Sequence, residues 1–148
     1  MGEFRGTDLT CIRGERQVFG GLDFNISAGG ALVLTGPNGS GKSSLLRLMA
    51  GLLAPAQGTL TWDGAATSDD PEAHGGRLHY VGHLDAVKPM LSVAENISFW
   101  AALRVAAEGL ETNVAAALNS FDIQRLADVP ARSLSAGQKR RANLVRIV

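Results

Sequence analysis

The segment GPNGSGKS, at residues 36–43, constrains the fold more than any other part of the sequence. It contains three glycines, a lysine and a serine, and glycine is costly to order inside a domain. An apolar, β-favouring run at residues 31–35 precedes it, and a run with helical spacing of leucines follows at residues 45–53. The predicted order is therefore strand, glycine loop, helix. Two interpretations fit that order: a tight turn without chemistry, or a loop that wraps phosphate.

The residue types favour phosphate. A strand, then G-x-x-x-x-G-K-[ST], then a helix is the pattern of a phosphate-binding P-loop. Its glycines let backbone N–H groups point at anionic oxygens, and the helix start adds unpaired donors and the positive end of its dipole. Lys42 is expected to meet the β- and γ-phosphates, and Ser43 to offer a hydroxyl ligand to Mg²⁺. The predicted nucleotide-binding residues are Gly36, Pro37, Asn38, Gly39, Ser40, Gly41, Lys42, Ser43 and Ser44.

The bulk composition excludes several classes of protein. The 148 residues suffice for one ordinary domain with a core, and 45% of them are hydrophobic and 19% charged, with a net charge of zero. No basic excess indicates nucleic-acid binding. Cys11 is the single cysteine, so no intrachain disulfide is possible. The first residues lack the apolar core of a signal peptide, and no apolar run approaches a membrane span. Any membrane association is therefore expected to come through a partner.

The chain changes from a β-rich first half to a helical second half. Besides residues 31–35, strands are predicted at residues 9–12, 18–26, 58–63 and 77–81, with loop-like sequence at 64–76. A capping box, Ser92-x-x-Glu95, predicts the start of a helix. Helical sequence continues to about residue 121 with a break near Gly109, and further helices are predicted at residues 123–127 and from Ser135.

Residues 134–138, LSAGQ, form the second informative motif. One interpretation is only a capped helix with a basic face, because Ser135 can cap the helix and Gln138 stands at the capping-box position. Following the P-loop in this order, however, the segment resembles the signature of ATP-binding cassette (ABC) ATPases. In that family the signature of one subunit closes over the γ-phosphate held by the P-loop of another. The resemblance thus implies a head-to-tail dimer with ATP contacts in trans from Leu134, Ser135, Ala136, Gly137 and Gln138.

The resemblance extends over nearly the whole chain. The runs CIRGERQVFGGLDF and YVGHLDAVKPMLSVAENISFWAAL are similar to those of the ATP-binding subunits of haem exporters in bacterial cytochrome c maturation. This implies an enzyme that couples binding and hydrolysis of ATP–Mg²⁺ to an integral-membrane partner, at the cytoplasmic face of the bacterial inner membrane, with haem as cargo. Two alternatives stay open. One is the ATP-binding subunit of another ABC transporter, and the other is a non-catalytic nucleotide-binding or docking module.

The implied fold class is α/β, with a P-loop NTPase (RecA-like) core, a small antiparallel β-subdomain and an α-helical insert. Residues 1–88 would form the nucleotide-binding core, residues 89–134 the helical subdomain, and residues 135–148 the signature helix that begins the rest of the core. The Walker B strand, with its Mg²⁺-binding aspartate and catalytic glutamate, is not among the 148 residues. The fold is therefore expected to be incomplete at its C-terminal end, and the chain alone to be inactive in ATP hydrolysis.

Two positions depart from the family pattern. Where most ABC ATPases place an aromatic residue that stacks on adenine, this chain has Arg13. Its guanidinium plane could stack in the same way, or it could simply be an exposed turn residue. The glutamine that opens the Q-loop is replaced by His83. By the resemblance, His83 would sense Mg²⁺ and the attacking water, and it is a candidate catalytic and metal-site residue.

The histidines and the nearest carboxylate offer little else. On a strand, His79 and His83 would lie roughly 13 Å apart, too far to share one zinc ion at about 2 Å. His79 is therefore expected to be a partly buried strand residue. Asp85 is the nearest carboxylate to the Q-loop position and a poor candidate for a general base.

Overall fold

The computed structural model of the chain describes residues 2–103 and 110–147. The chain forms two compact units, Met1–Tyr80 and Val81–Val148. In the described residues, every helix is too short or too polar to cross a membrane. These units are defined by compactness alone. They do not test the predicted functional subdomains, so the boundary predicted at residue 88 stays a prediction.

The first unit is built on a four-stranded sheet in the order β2-β1-β3-β4, with every neighbouring pair antiparallel. The strands are β1 (Glu3–Arg13), β2 (Arg16–Ser27), β3 (Gln57–Trp62) and β4 (Ala65–Ala66). A turn of two residues, Gly14 and Glu15, joins β1 to β2, and Gly14 has a φ of 60°. Glycine at the first position of a two-residue turn matches the twist of the flanking strands. The strands predicted at residues 9–12 and 18–26 thus both form, and each is longer than predicted.

One face of this sheet carries the helix that follows the glycine loop. Phe4, Leu9, Phe24 and Leu60 of the strands form a core with Leu45 of helix α1 (Lys42–Met49). Leu45 is 4% exposed, so burying it fixes the side of α1 that faces the sheet. This packing holds α1, whose first residue is Lys42, against the sheet.

Two predicted strands are wrong. Residues 31–35 and 77–81 do not form strands, and Val33, expected in a buried strand, is 78% exposed. A strand needs a neighbour to pair its backbone N–H and C=O groups, and the described sheet ends at β2 and β4 without adding either segment. His79, expected to be partly buried, is exposed.

The predicted loop at residues 64–76 is also more ordered than expected. It contains β4 and a short helix α2 (Pro71–Gly76). The Asp70 carboxylate caps α2 by accepting from the Ala73 N–H at 2.9 Å, with Pro71 in the first turn. Asp-Pro at the start of a helix was a local signal for α2 that the loop-like composition concealed.

The second unit is helical. It contains α3 (Val93–Ala102), α4 (Leu110–Ser120) and α5 (Ala136–Val145), with single 3₁₀ turns at Gln124–Leu126 and Ala131–Ser133. The capping box at Ser92 and Glu95 forms as predicted, with bonds of 2.7 and 3.2 Å. The helix predicted at residues 123–127 is one of the 3₁₀ turns, and the predicted break near Gly109 lies outside the described residues.

A buried asparagine organises the approach to α3. Asn96 is 2% exposed. Its carboxamide oxygen accepts from the Lys88 N–H at 2.7 Å, and its nitrogen donates to the carbonyls of Lys88, Leu91 and Ser92 at 3.1, 3.2 and 2.9 Å. One side chain thereby bonds to four backbone groups of the segment before the helix, and it is the partner of the Lys88 N–H.

Candidate nucleotide-binding site

The glycine loop adopts backbone conformations that explain its composition. The backbone φ values of Gly36, Gly39 and Gly41 are 137°, 84° and 96°, in a region that residues other than glycine rarely adopt. Gly41 is the N-cap of α1, and its carbonyl accepts from the Leu45 N–H at 2.9 Å. The loop thus turns sharply and ends as the first turn of a helix, where unpaired N–H groups and the helix dipole favour an anion.

Gly41 is also required by space. A Cβ atom on Gly41 would lie 2.7 Å from Val18 Cγ1 and 2.9 Å from Phe19 Cδ1. Both neighbours belong to β2, so the loop is pressed against the hairpin of the first unit. The close approach brings the end of that hairpin next to the start of α1.

The side chain of Lys42 folds back over the loop. Its ammonium donates to the carbonyls of Gly36 and Pro37 at 2.8 and 2.7 Å, and it lies 3.5 Å from Ser40 Oγ. These contacts hold the cation over the concave side of the glycine turn. A charge in that position can meet a phosphate group that the backbone donors also address.

A cavity of about 390 Å³ opens beside the loop, a volume typical of small-molecule sites. It is lined by Arg13, Arg16 and Val18 from the hairpin, and by Asn38, Gly39, Gly41, Lys42, Ser43 and Ser44 from the loop and α1. The lining has three cationic side chains and no carboxylate. Such a lining favours a polyanion, because no acidic group opposes its charge.

A second cavity, of about 420 Å³, lies on another side of the same loop. Its walls are largely apolar and include Phe19, Leu22, Val33, Leu34 and Leu45. Since it has only Lys42 as a charged wall, the first cavity is the better candidate for a charged ligand.

The structure brings Arg13 to the same cavity as the P-loop residues. It also brings Arg16 and Val18 there, which the motif analysis did not identify. Arg16 is the cross-strand partner of Arg13. The β1–β2 hairpin explains this placement, because residues that flank a two-residue turn pair directly and share one face of the sheet.

The signature residues lie in the second unit and cap α5. Ser135 Oγ accepts from the Gln138 N–H at 3.3 Å, and Gln138 Oε1 accepts from the Ser135 N–H at 2.8 Å. Leu134 is 6% exposed and belongs to the helical core. Ser135, Ala136 and Gly137 are exposed. The predicted capped helix is thus confirmed, and its first turn is accessible to a ligand or partner.

His83 also lies in the second unit, in an exposed bend. The carbonyl of Gly82, just before it, accepts from Arg140 Nη1 at 2.8 Å, which ties this segment to α5. The described residues include no group of three or more His, Cys, Asp or Glu side chains that could hold a metal ion. For Mg²⁺ the cavity beside the loop offers the Ser43 hydroxyl, next to Lys42. A hydroxyl oxygen suits this hard cation as a single ligand.

Comparison with known proteins agrees with both motifs. A family model described as ABC transporter matches residues 19–148. The chain is 62% identical over 145 residues to the cytochrome c biogenesis ATP-binding export protein CcmA of Rhodospirillum rubrum, covering 98% of this chain and 61% of that protein. It is 61% identical to the protein of the same name in Paramagnetospirillum magneticum, covering 98% and 67%. The chain therefore spans roughly two thirds or less of the length of these relatives.

Solved structures confirm the fold class. The ATP-binding subunit of an ABC transporter superimposes with a TM-score of 0.83 at 22% identity, over 97% of this chain and 60% of that one. An ATP-binding cassette in its ADP conformation superimposes with a TM-score of 0.82 at 21% identity, over 99% and 64%. These similarities confirm the P-loop NTPase fold, and the family match covers both the P-loop and the signature. The chain belongs to the ABC transporter family.

Proposed function

We propose that this chain is the nucleotide-binding part of an ABC transporter subunit that binds and hydrolyses ATP and drives a membrane partner in cytochrome c biogenesis, with haem as cargo. The cavity beside the glycine loop carries this proposal, because it joins a P-loop, a helix N-terminus and three cationic side chains in one lining. The relatives with 62% and 61% identity, both named as cytochrome c biogenesis ATP-binding export proteins, support the biological process.

In this proposal each residue has a defined task at the nucleotide. The backbone N–H groups of the loop and the Lys42 ammonium bind the β- and γ-phosphates. Ser43 holds Mg²⁺, which when bound neutralises charge on the phosphate oxygens. Arg13 stacks its guanidinium plane on adenine. Binding rests on many donors at once, so loss of the single ammonium weakens it without removing the cavity.

The signature and the Q-loop position act between subunits. We propose a head-to-tail dimer in which the exposed first turn of α5 meets the γ-phosphate held by a second ATP-binding subunit. His83 follows the nucleotide state and passes it to an integral-membrane subunit. The bond from Arg140 to the Gly82 carbonyl supports a mechanical link between this segment and α5. The complex would lie at the cytoplasmic face of the inner membrane, attached through its membrane subunits.

A second candidate function is nucleotide binding without turnover by these 148 residues alone. The cavity lining supports it, since it contains no carboxylate or histidine that could orient the attacking water. Steady-state phosphate release, compared with that of the Lys42→Ala variant, separates the two. Turnover above this control would contradict the binding-only candidate and would place a catalytic group inside the chain.

The assignment of the P-loop is tested by Lys42→Ala. We expect ATP affinity to fall by about 2 kcal/mol, or roughly thirtyfold, as for a charge-assisted contact. Lys88→Ala is the matched control, because the Lys88 ammonium lies 4.2 Å from the centre of the Phe99 ring and does not line the cavity. Both variants are measured by competition with a fluorescent ATP analogue. Equal affinity of a folded Lys42→Ala variant and the control would contradict the proposal.

A further inference from the structure

The hairpin places two arginines directly opposite each other. Arg13 ends β1, Arg16 begins β2, and the two are Cα partners in the antiparallel register. Directly opposed residues project from the same face of a sheet, and two like charges in that arrangement destabilise the pair. The turn between them contributes only Gly14 and Glu15. The paired arginines therefore destabilise the hairpin, and the turn itself does not require arginine at either position.

Neither arginine is neutralised within the described part of the chain. The ion pair found there joins Arg5 to Glu3, with 3.1 Å between Nη2 and Oε1. Arg13 and Arg16 instead both line the cavity that contains Lys42. Two exposed guanidinium groups on one wall of a concave site, without a carboxylate, are arranged to meet a ligand.

The hydrogen-bonding character of this wall is one-sided. Arginine has five N–H donors and no acceptor. The other lining residue from the hairpin, Val18, is apolar. The side chains of the lining that can accept a hydrogen bond are Asn38, Ser43 and Ser44, and these belong to the loop and to α1, where the phosphates bind in the proposed function. Among its side chains, the hairpin end of the cavity thus presents two flat cationic donors and no acceptor.

We propose that Arg13 and Arg16 together form the base subsite and that this subsite accepts guanine at least as well as adenine. The inference rests on the proposed nucleotide-binding function and adds Arg16 and the purine range to it. A guanidinium plane stacks on any base. Guanine presents two acceptors, O6 and N7, to bidentate arginine, whereas adenine presents N7 beside an amino donor that a donor-only wall cannot satisfy. The subsite therefore holds purine nucleotides without selecting adenine.

The test measures competition of ATP, GTP, CTP and tripolyphosphate against a fluorescent ATP analogue, on the unmodified 148-residue chain and three variants. Arg16→Ala removes the second guanidinium. Arg16→Lys keeps the charge but not the planar fork. Arg125→Ala is the control, an exposed arginine outside the cavity lining. GTP is expected to bind within about threefold of ATP or more tightly, and CTP more weakly than either because its ring offers less stacking surface.

Arg16→Ala is expected to weaken ATP and GTP about five- to tenfold, as for partly exposed charge-assisted contacts, and tripolyphosphate by less. Arg16→Lys should restore tripolyphosphate binding but not nucleotide binding. Preference for ATP over GTP by more than about threefold, or equal loss for nucleotides and tripolyphosphate in Arg16→Ala, would overturn this inference. The Lys42→Ala variant is measured beside these three. Equal binding of tripolyphosphate by that variant and by the unmodified chain would instead overturn the P-loop assignment, so the two failures are distinguishable.

Discussion

Replacing His74 by phenylalanine is expected to lower the free energy of unfolding of the first unit by about 3 kcal/mol. The imidazole is 3% exposed and lies between a strand and the P-loop helix. Its Nδ1 accepts from Trp62 Nε1 at 2.9 Å, and its Nε2 lies 2.9 Å from the carbonyl oxygen of Met49, the last residue of α1. This arrangement requires the tautomer with its proton on Nε2, which donates to that carbonyl.

The magnitude follows from the two groups that lose their partner. A buried donor or acceptor left unsatisfied costs about 1–3 kcal/mol, and the variant leaves both the Trp62 N–H and the Met49 carbonyl in this state. Phenylalanine fills a similar volume, so the cavity contribution is small. The ring of His74 packs closely against Gly51, because a Cβ atom added to this glycine would lie only 3.0 Å from His74 Cδ2. The sum is about 3 kcal/mol, most of it from hydrogen bonding.

The assay is urea denaturation followed by the fluorescence of Trp62. Trp100 is replaced by phenylalanine in every sample, so that the signal comes from the first unit. His83→Phe, a change of the same type at an exposed position, is the control and should stay within about 0.5 kcal/mol of the parent. A midpoint for His74→Phe equal to that of His83→Phe would refute the reasoning. A double-mutant cycle of His74→Phe with Trp62→Phe tests the Trp62 contact specifically, and its samples are followed by far-UV circular dichroism because the Trp62→Phe variants lack the fluorescent reporter. Coupling below about 0.5 kcal/mol would refute that contact.

Three further changes have defined outcomes. Gly41→Ala should lower thermal stability by about 1–3 kcal/mol and weaken nucleotide binding, because the φ of 96° and the contact with Val18 both oppose a side chain. Asn96→Leu should cost about 1–3 kcal/mol in denaturant titrations, since the Lys88 N–H loses its acceptor while the three carbonyls keep backbone donors. The hydrogen bond from Asn25, and then that from Arg5, lower the pKa of Glu3. The stabilisation that the Glu3 carboxylate provides is therefore present above the ordinary carboxyl pKa and is lost as the pH falls through the lowered value. Glu3→Gln should flatten that part of the curve of unfolding free energy against pH.

The features that the sequence predicted correctly depend on neighbouring residues. The two capping boxes need only a residue and its third successor, and both form. The β1–β2 turn needs a glycine that tolerates positive φ, and Gly14 supplies it. The P-loop motif is a local signal of eight consecutive residues. Its three glycines adopt positive φ values, which other residues rarely adopt.

The features that were missed depend on residues distant in the sequence. Residues 31–35 have strand propensity, but propensity does not provide the neighbour that pairs a strand. His74 gains its role from Trp62 and Met49, which a composition rich in turn residues does not indicate. Arg16 differs from these two cases, because its pairing with Arg13 across a two-residue turn is itself a local feature. Local patterns therefore identified the phosphate end of the cavity, and the family resemblance identified Arg13, while the structure added Arg16 and Val18 to the other wall.

The hydrogen bonds from Lys42 to the carbonyls of Gly36 and Pro37 affect which anions the loop can bind. Any anion that approaches the ammonium competes with two oxygens already at bonding distance. Chloride or acetate exchanges those contacts for a single centre of charge and gains little. A triphosphate offers several oxygens to the ammonium and to the backbone donors at once, so the exchange becomes favourable. We therefore expect the loop to discriminate by charge density, with the abundant monovalent anions of a cell as weak competitors for the nucleotide.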